Sequence, residues 1–254
     1  MSPALLEVSQ LEVDFDGFRA IDKLNFWVDE GELRFLIGPN GAGKTTLLDA
    51  ITGLTRPVGG SIKFGVRPLL GRPEHEIVKM GIGRTFQTPS VFDQLTVLDN
   101  LDLAASFRLP LRKLLRRRGA VGERVATALE TVGLTDRAGD LAGVLSHGQK
   151  QWLEIGMLLV QDPQLLLLDE PVAGMSKEER TRTGELLQEI ARNHTVVVVE
   201  HDMEFLRRFA RRVTVMHEGR TLCEGSVAEV QANPLVQEVY LGRSRDTRGG
   251  VEVG

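Results

Sequence analysis

One short run limits the possible folds of this chain more than any other: Gly38-Pro39-Asn40-Gly41-Ala42-Gly43-Lys44-Thr45. It fits the pattern G-x-x-x-x-G-K-[ST] at every fixed position. Before it lies a nearly continuous apolar stretch, Leu33 to Ile37, the mark of a strand buried on both faces. After it comes an apolar helical pattern that stops at Gly53. Glycines between a strand and a helix let the backbone turn its N–H groups toward one point, and the helix N-terminus adds a positive dipole there. Such a nest holds phosphate. Lys44 is then placed to neutralise charge on β- and γ-phosphates, and the Thr45 hydroxyl to hold Mg²⁺.

A second apolar run, Leu165 to Leu168, ends in the acids Asp169 and Glu170. Carboxylates at the C-terminal end of a parallel strand lie at the sheet edge where ligands of such folds bind. Asp169 is the candidate Mg²⁺ ligand, and Glu170 the candidate base or orienter for an attacking water. No Asn-Lys-x-Asp run for guanine recognition is present.

The other elements read around these two. Alternation at Leu6, Val8, Leu11, Val13 and Phe15, then at Leu24, Phe26 and Val28, predicts antiparallel strands turning at Asp16-Gly17. Helices are predicted over Leu95–Phe107, Val121–Val132 and Gln149–Val160, and a polar one from Ser176 to Arg192. A strand at Thr195–Val199 leads to a helix at Met203, and Val213–Cys223 reads as a hairpin turning at Glu218-Gly219. Ser226 is placed to cap a short helix and Pro234 to start the last one. Strand–helix alternation implies α/β architecture with a parallel sheet.

The net charge of −4 argues against a general nucleic-acid binder. The single cysteine, Cys223, permits no intramolecular disulfide and fits a reducing compartment. Neither long apolar run approaches the ~18 residues that span a bilayer, so work at a membrane would be that of a peripheral subunit.

Three further motifs narrow the class: Leu145-Ser146-His147-Gly148-Gln149 ahead of a helix, His201 directly after a strand, and Gln87 in Thr85-Phe86-Gln87. With the cradle and the carboxylate strand, in this order, the chain resembles the ATP-binding-cassette (ABC) ATPases from about Leu6 to Gly242. The resemblance implies a P-loop (RecA-like) parallel-sheet core, an N-terminal antiparallel β-subdomain and a helical signature subdomain at about 93–161. It implies a single ATPase domain over 1–243 with a loose tail at 244–254. Glu170, His201 and Gln87 would be catalytic. Phe15 would stack on adenine, residues Gly38 through Thr45 and Thr46 would bind nucleotide, and Thr45, Gln87 and Asp169 would hold the metal. Ser146, Gly148 and Gln149 would serve the γ-phosphate bound by an opposite subunit, so that two chains pair head to tail around two ATP molecules.

Arg84-Thr85-Phe86-Gln87, Pro171 to Met175, Val199 to Met203 and Glu238 to Gly242 look like cassettes of importers for branched-chain amino acids, amides and urea. The run Leu145 to Met175 is most similar to the urea-importer ATPase. The resemblance therefore implies a subunit on the cytoplasmic face of the cell (inner) membrane, hydrolysing ATP with Mg²⁺ to power uptake of urea or a short amide. Branched-chain amino acids are the alternative. Partners would be a second ATPase subunit, identical or different, two transmembrane permease subunits and, indirectly, an external substrate-binding protein. A short helical pattern at Ile77, Val78 and Met80 beside Gln87 would form the cleft that receives a permease helix. Ser176 departs from the family, which often has Asp there. The basic run Arg112 to Arg118 reads first as a solvated helix face, with lipid headgroups or a membrane subunit as the alternative it could meet.

Overall fold

The computed structural model describes residues 4–106 and 118–246. In chain order the first elements are β1 (Ala4–Phe15), β2 (Phe18–Asp29), β3 (Leu33–Ile37), α1 (Lys44–Thr52), β4 (Gly59–Phe64) and β5 (Arg67–Pro68). Next come α2 (Glu74–Met80), β6 (Ile82–Arg84), α3 (Val97–Ser106), α4 (Arg118–Val132), α5 (His147–Leu159), β7 (Leu165–Asp169) and α6 (Lys177–Ile190). The chain ends with β8 (Thr195–Val199), α7 (Met203–Phe209), β9 (Arg212–His217), β10 (Arg220–Gly225), α8 (Val227–Ala232) and α9 (Pro234–Asp246). These residues cluster into two compact units, 1–74 with 197–254, and 75–196.

In the first unit an antiparallel sheet runs in the order β2-β1-β4-β5. The alternation read from the sequence is its burial pattern: Leu6, Val8, Leu11 and Val13 are at most 2% exposed. β1 and β2 were legible because their apolar residues keep to one face despite the register shifts between Val8 and Val13. β4 and β5 were not. β4 opens on Gly59-Gly60-Ser61 and offers only Ile62 and Phe64 as inward residues. Gly60, at φ +88°, is required, since a side-chain carbon there would stand 2.3 Å from the Gln10 carbonyl oxygen. The same unit pairs β3 with β9 in parallel, Arg34 opposite Arg212 through Ile37 opposite Val215, and closes the predicted β9–β10 hairpin. Buried Arg34 donates to Glu32 at 2.7 Å, to the Thr214 hydroxyl at 2.7 Å and to Glu224. Cys223 is a free thiol, and partial burial pushes its pKa up.

In the second unit β6 pairs in parallel with β7, Ile82 opposite Leu165 through Arg84 opposite Leu167. At three residues β6 is too short to show a period, so it was not foreseen. Helices α3, α4 and α5 pack together around Gly156, where an added side-chain carbon would meet Leu101 at 3.2 Å and Val132 at 3.4 Å. Trp152 on α5 donates its indole N–H to the Thr183 hydroxyl on α6 at 2.8 Å.

The expected α/β class, antiparallel sheet, parallel pairing and helical part are all present. Two differences stand out at segment ends. The last helix continues to Asp246, so the first three residues of the expected tail, from Ser244, are helical, and 247–254 lie outside the described residues. The basic run at 112–117 also lies outside them. Among the described residues no helix is long and apolar enough to cross a membrane.

Candidate functional site

In the first unit β3 delivers the chain into the glycine loop. Gly38, at φ +154°, passes so close to β9 that a side-chain carbon would lie 2.2 Å from the Met216 carbonyl oxygen. Gly43, at φ +95°, would meet the Ala20 oxygen at 2.7 Å. Gly41, at φ +82°, faces open space instead. The outer two glycines thus fit the loop against the protein, and the middle one lets it turn. Ala42 is buried, Pro39 half-buried and Asn40 exposed. The Lys44 side chain is drawn inward: it is 7% exposed, and its ammonium donates to the carbonyls of Gly38 at 2.8 Å and Pro39 at 3.0 Å. The N-cap of α1 is Gly43, which has no side chain to cap the first turn. Thr45 is exposed on that turn and Thr46 half-buried.

Also in the first unit, Phe15 ends β1 at 48% exposure. It pairs with Phe18, still more exposed and unremarked in the sequence, so two aromatic rings flank this turn. His201 is exposed just beyond β8, and its backbone N–H donates to the Glu200 carboxylate at 3.2 Å.

In the second unit every residue of β7 is buried. Asp169 is 1% exposed, with the Arg84 guanidinium 3.5 Å from its carboxylate, and its N–H donates to the Thr85 hydroxyl at 3.3 Å. Glu170, the next residue, has φ +52°, a left-handed conformation. That costs a non-glycine residue about 1–2 kcal/mol. Gln10, Asp16, Lys23, Asp162 and Glu218 share that conformation, but Glu170 alone among these six directly follows a strand that ends in a buried acid. Gln87 is exposed on the loop after β6.

The Leu145–Gln149 motif begins α5 as expected, with Ser146 as N-cap. Its hydroxyl accepts the Gln149 N–H at 3.2 Å, and the Gln149 side chain accepts the Ser146 N–H at 3.0 Å. Ser176 caps α6 in the same reciprocal way with Glu179. One carboxylate joins the two caps, because the Ser146 hydroxyl donates to Glu179 at 3.0 Å. The Ser176 N–H, the Ser146 and Ser176 hydroxyls and nearby His147 hold that carboxyl below the usual range. Gly148 makes room for it, since a side-chain carbon there would fall 2.6 Å from a Glu179 oxygen. Glu179 was missed, although Ser176-Lys177-Glu178-Glu179 spells a capping box.

The candidate residues thus fall into two groups. Phe15, Gly38 through Thr46 and His201 belong to the first unit, and Gln87, Ser146, Gly148, Gln149, Asp169 and Glu170 to the second.

A glycine nest closed by a buried lysine, together with a buried strand ending in two acids, defines a P-loop nucleotide-hydrolysing protein. Residues 21–173 match the family model for the ABC transporter. The chain belongs to that family, whose ATPases couple ATP hydrolysis to transport. Residues 220–246 match the model for the branched-chain amino acid ATP-binding cassette transporter. The chain is similar to the high-affinity branched-chain amino acid transport ATP-binding protein LivG of Salmonella typhimurium, 38% identical over 96% of this chain and 100% of that one. Among solved structures it resembles the ADP conformation of MJ1267, an ATP-binding cassette of an ABC transporter. There the TM-score is 0.83 at 28% identity, over 95% of this chain and all of the other. A dimeric post-hydrolysis state of the cassette MJ0796, bound to ADP and Pi, gives a TM-score of 0.74 at 26% identity over 87% and 98%.

Proposed function

We propose that this chain is the ATPase subunit of an importer for branched-chain amino acids, acting at the cytoplasmic face of the membrane. The observation that carries the catalytic part is the strained, left-handed Glu170 at the end of buried β7. The glycine loop and Lys44 take the β- and γ-phosphates of ATP, and Phe15 stacks on the adenine. The Thr45 hydroxyl, the Gln87 amide oxygen and the Asp169 carboxylate are hard oxygen donors of the kind Mg²⁺ accepts beside nucleotide phosphates. When bound, that ion neutralises charge developing on the transferred phosphoryl group. Glu170 takes a proton from the attacking water, the γ-phosphoryl group passes to that water, and ADP leaves. His201 and Gln87 hold the water and the γ-phosphate in line.

Ser146, Gly148 and Gln149 serve a nucleotide held by an opposite ATPase subunit, this chain again or a different one. The dimeric likeness to MJ0796 supports that pairing. Two permease subunits receive the mechanical work, with α2 and the Gln87 loop as the docking segment, and an external binding protein delivers the solute to them.

Urea or a short amide was the first expectation for the solute. The full-length likeness to LivG and the C-terminal match at 220–246 favour branched-chain amino acids instead. Uptake of labelled leucine and labelled urea in cells lacking this chain decides between them. Lost leucine uptake with urea uptake intact is expected, and the reverse would refute the choice.

A further inference from the structure

Glu154 lies in the middle of α5 and is 5% exposed, among Trp152, Leu153 and Ile155. For folding alone this is a poor place for a carboxylate. Burial strips its water, and a well-packed apolar side chain of similar volume would do as well or better.

What it holds explains its presence. One carboxylate oxygen accepts the backbone N–H of Ser90 at 3.2 Å, and the Phe86 N–H is a second donor. The other oxygen lies 3.5 Å from the side-chain amide of Gln151, on the same helix. Phe86 and Ser90 bracket Gln87 in a loop outside any strand or helix, so their amides have no ladder to join. The helix grips the loop again further on, where the Lys150 ammonium meets the Asp93 carboxylate at 2.8 Å. Asn100 of α3 secures Phe92 between these points, accepting its N–H at 2.8 Å and donating to its carbonyl at 3.1 Å.

We propose that Glu154 is a positioning residue for ATP turnover: it locks the Gln87 loop to the helix that Ser146 begins, so that both shift as one piece. The proposal rests on reading Gln87 and Ser146 as nucleotide-facing groups. Glu154 lies eight residues beyond Ser146, about 12 Å along a rigid helix. A γ-phosphate engaged at Ser146 therefore biases the placement of Gln87, and by linkage an occupied Gln87 biases Ser146.

Amide hydrogen exchange and steady-state ATP hydrolysis on the purified chain test this. In E154L the Phe86 and Ser90 amides should exchange at least tenfold faster, with the amides of α5 unchanged. The same variant should lose at least tenfold in kcat, with KM for ATP nearly unchanged because the cradle residues are intact. E154Q, whose amide oxygen still accepts, should keep most of the protection and most of kcat. A folded E154L with native exchange at both amides, or with native kcat, overturns the proposal. Should E154L not fold, E154D, one methylene short, should show the same faster exchange, and native protection there would overturn it equally. The exchange measurement needs no nucleotide. A failure of the ATPase reading, such as normal turnover by Lys44→Ala, is therefore told apart from a failure of the tether.

Discussion

Glu154→Gln should make the chain more stable at alkaline pH and leave it nearly unchanged at acidic pH. Burial pushes the Glu154 carboxyl up from the ordinary 4.5 to about 7, against the opposing pull of the Ser90 and Phe86 N–H groups. An acid whose value is raised on folding binds its proton more tightly in the folded state. Its contribution is therefore most favourable below about pH 4.5, declines as pH rises toward 7, and stays at the reduced level beyond. At about 1.4 kcal/mol per pH unit the full difference is roughly 3 kcal/mol. About 2.5 kcal/mol of it falls between pH 5 and pH 8.5. Glutamine fills the same space and does not ionise, so the variant lacks this slope. Urea unfolding of both proteins at the two pH values reads it directly. The variant's advantage should grow by about 2.5 kcal/mol on going to pH 8.5. An advantage constant to within ~0.5 kcal/mol, the scatter expected of ordinary surface changes, would refute the reasoning from burial.

The remaining predictions concern the cradle, the caps and the shared site. Lys44→Ala should abolish hydrolysis and weaken ATP binding measured by calorimetry; near-normal turnover would overturn the cradle assignment. Gly38→Ala drives a side-chain carbon into the Met216 backbone and should cost roughly 3 kcal/mol in thermal unfolding. Gly148→Ala meets only the movable end of Glu179 and should cost about 1 kcal/mol, so equal losses would contradict the contact geometry. Glu170→Gln should slow hydrolysis ~10²–10⁴-fold and dimerise with ATP but not ADP, while Ser146→Arg added to it should abolish that dimer. Light scattering checks this, and an ATP-bound Glu170→Gln protein that stays monomeric even with a partner ATPase would count against the shared site.

How much was readable in advance follows from the kind of signal each feature leaves. β1 and β2 announce themselves through alternation, and β3, β7 and β8 through short apolar runs between turns, so that these last three were placed within a residue. The glycine loop was legible because its constraint is steric, and only glycine tolerates the approach of Gly38 to Met216 or of Gly43 to Ala20. Ser226 was legible as a cap because the signal is local, its box partner Glu229 lying three residues on. The missing parts depend on contacts remote in sequence. β6 is three residues whose identity as a strand comes from pairing with β7. Glu179 reaches back 33 residues to Ser146. Glu154 reaches 64 residues to Ser90. No window of local periodicity contains those distances.

Some positions where this chain departs from ordinary folding preference, such as Gly60 against Gln10, belong to the frame of the sheet, and others belong to its proposed machinery. Glu170 occupies a left-handed conformation that glycine would adopt without strain, and Glu154 gives up water that a leucine would never have held. Gly38 and Gly43 give up side chains altogether so that the loop can lie against backbone. Buried Arg34 makes the contrast. It is equally deep and charged, yet it meets Glu32, Thr214 and Glu224, and it belongs to the frame of the sheet. The difference lies in what answers the charge. Arg34 is met by opposite charge, from Glu32 just before its own strand and from Glu224 on β10. Glu154 is met chiefly by backbone amides of the loop that carries Gln87. A charge answered by fixed partners stiffens a core. A charge answered by a loop spends folding stability on holding that loop, and such a residue persists only where the loop's position matters.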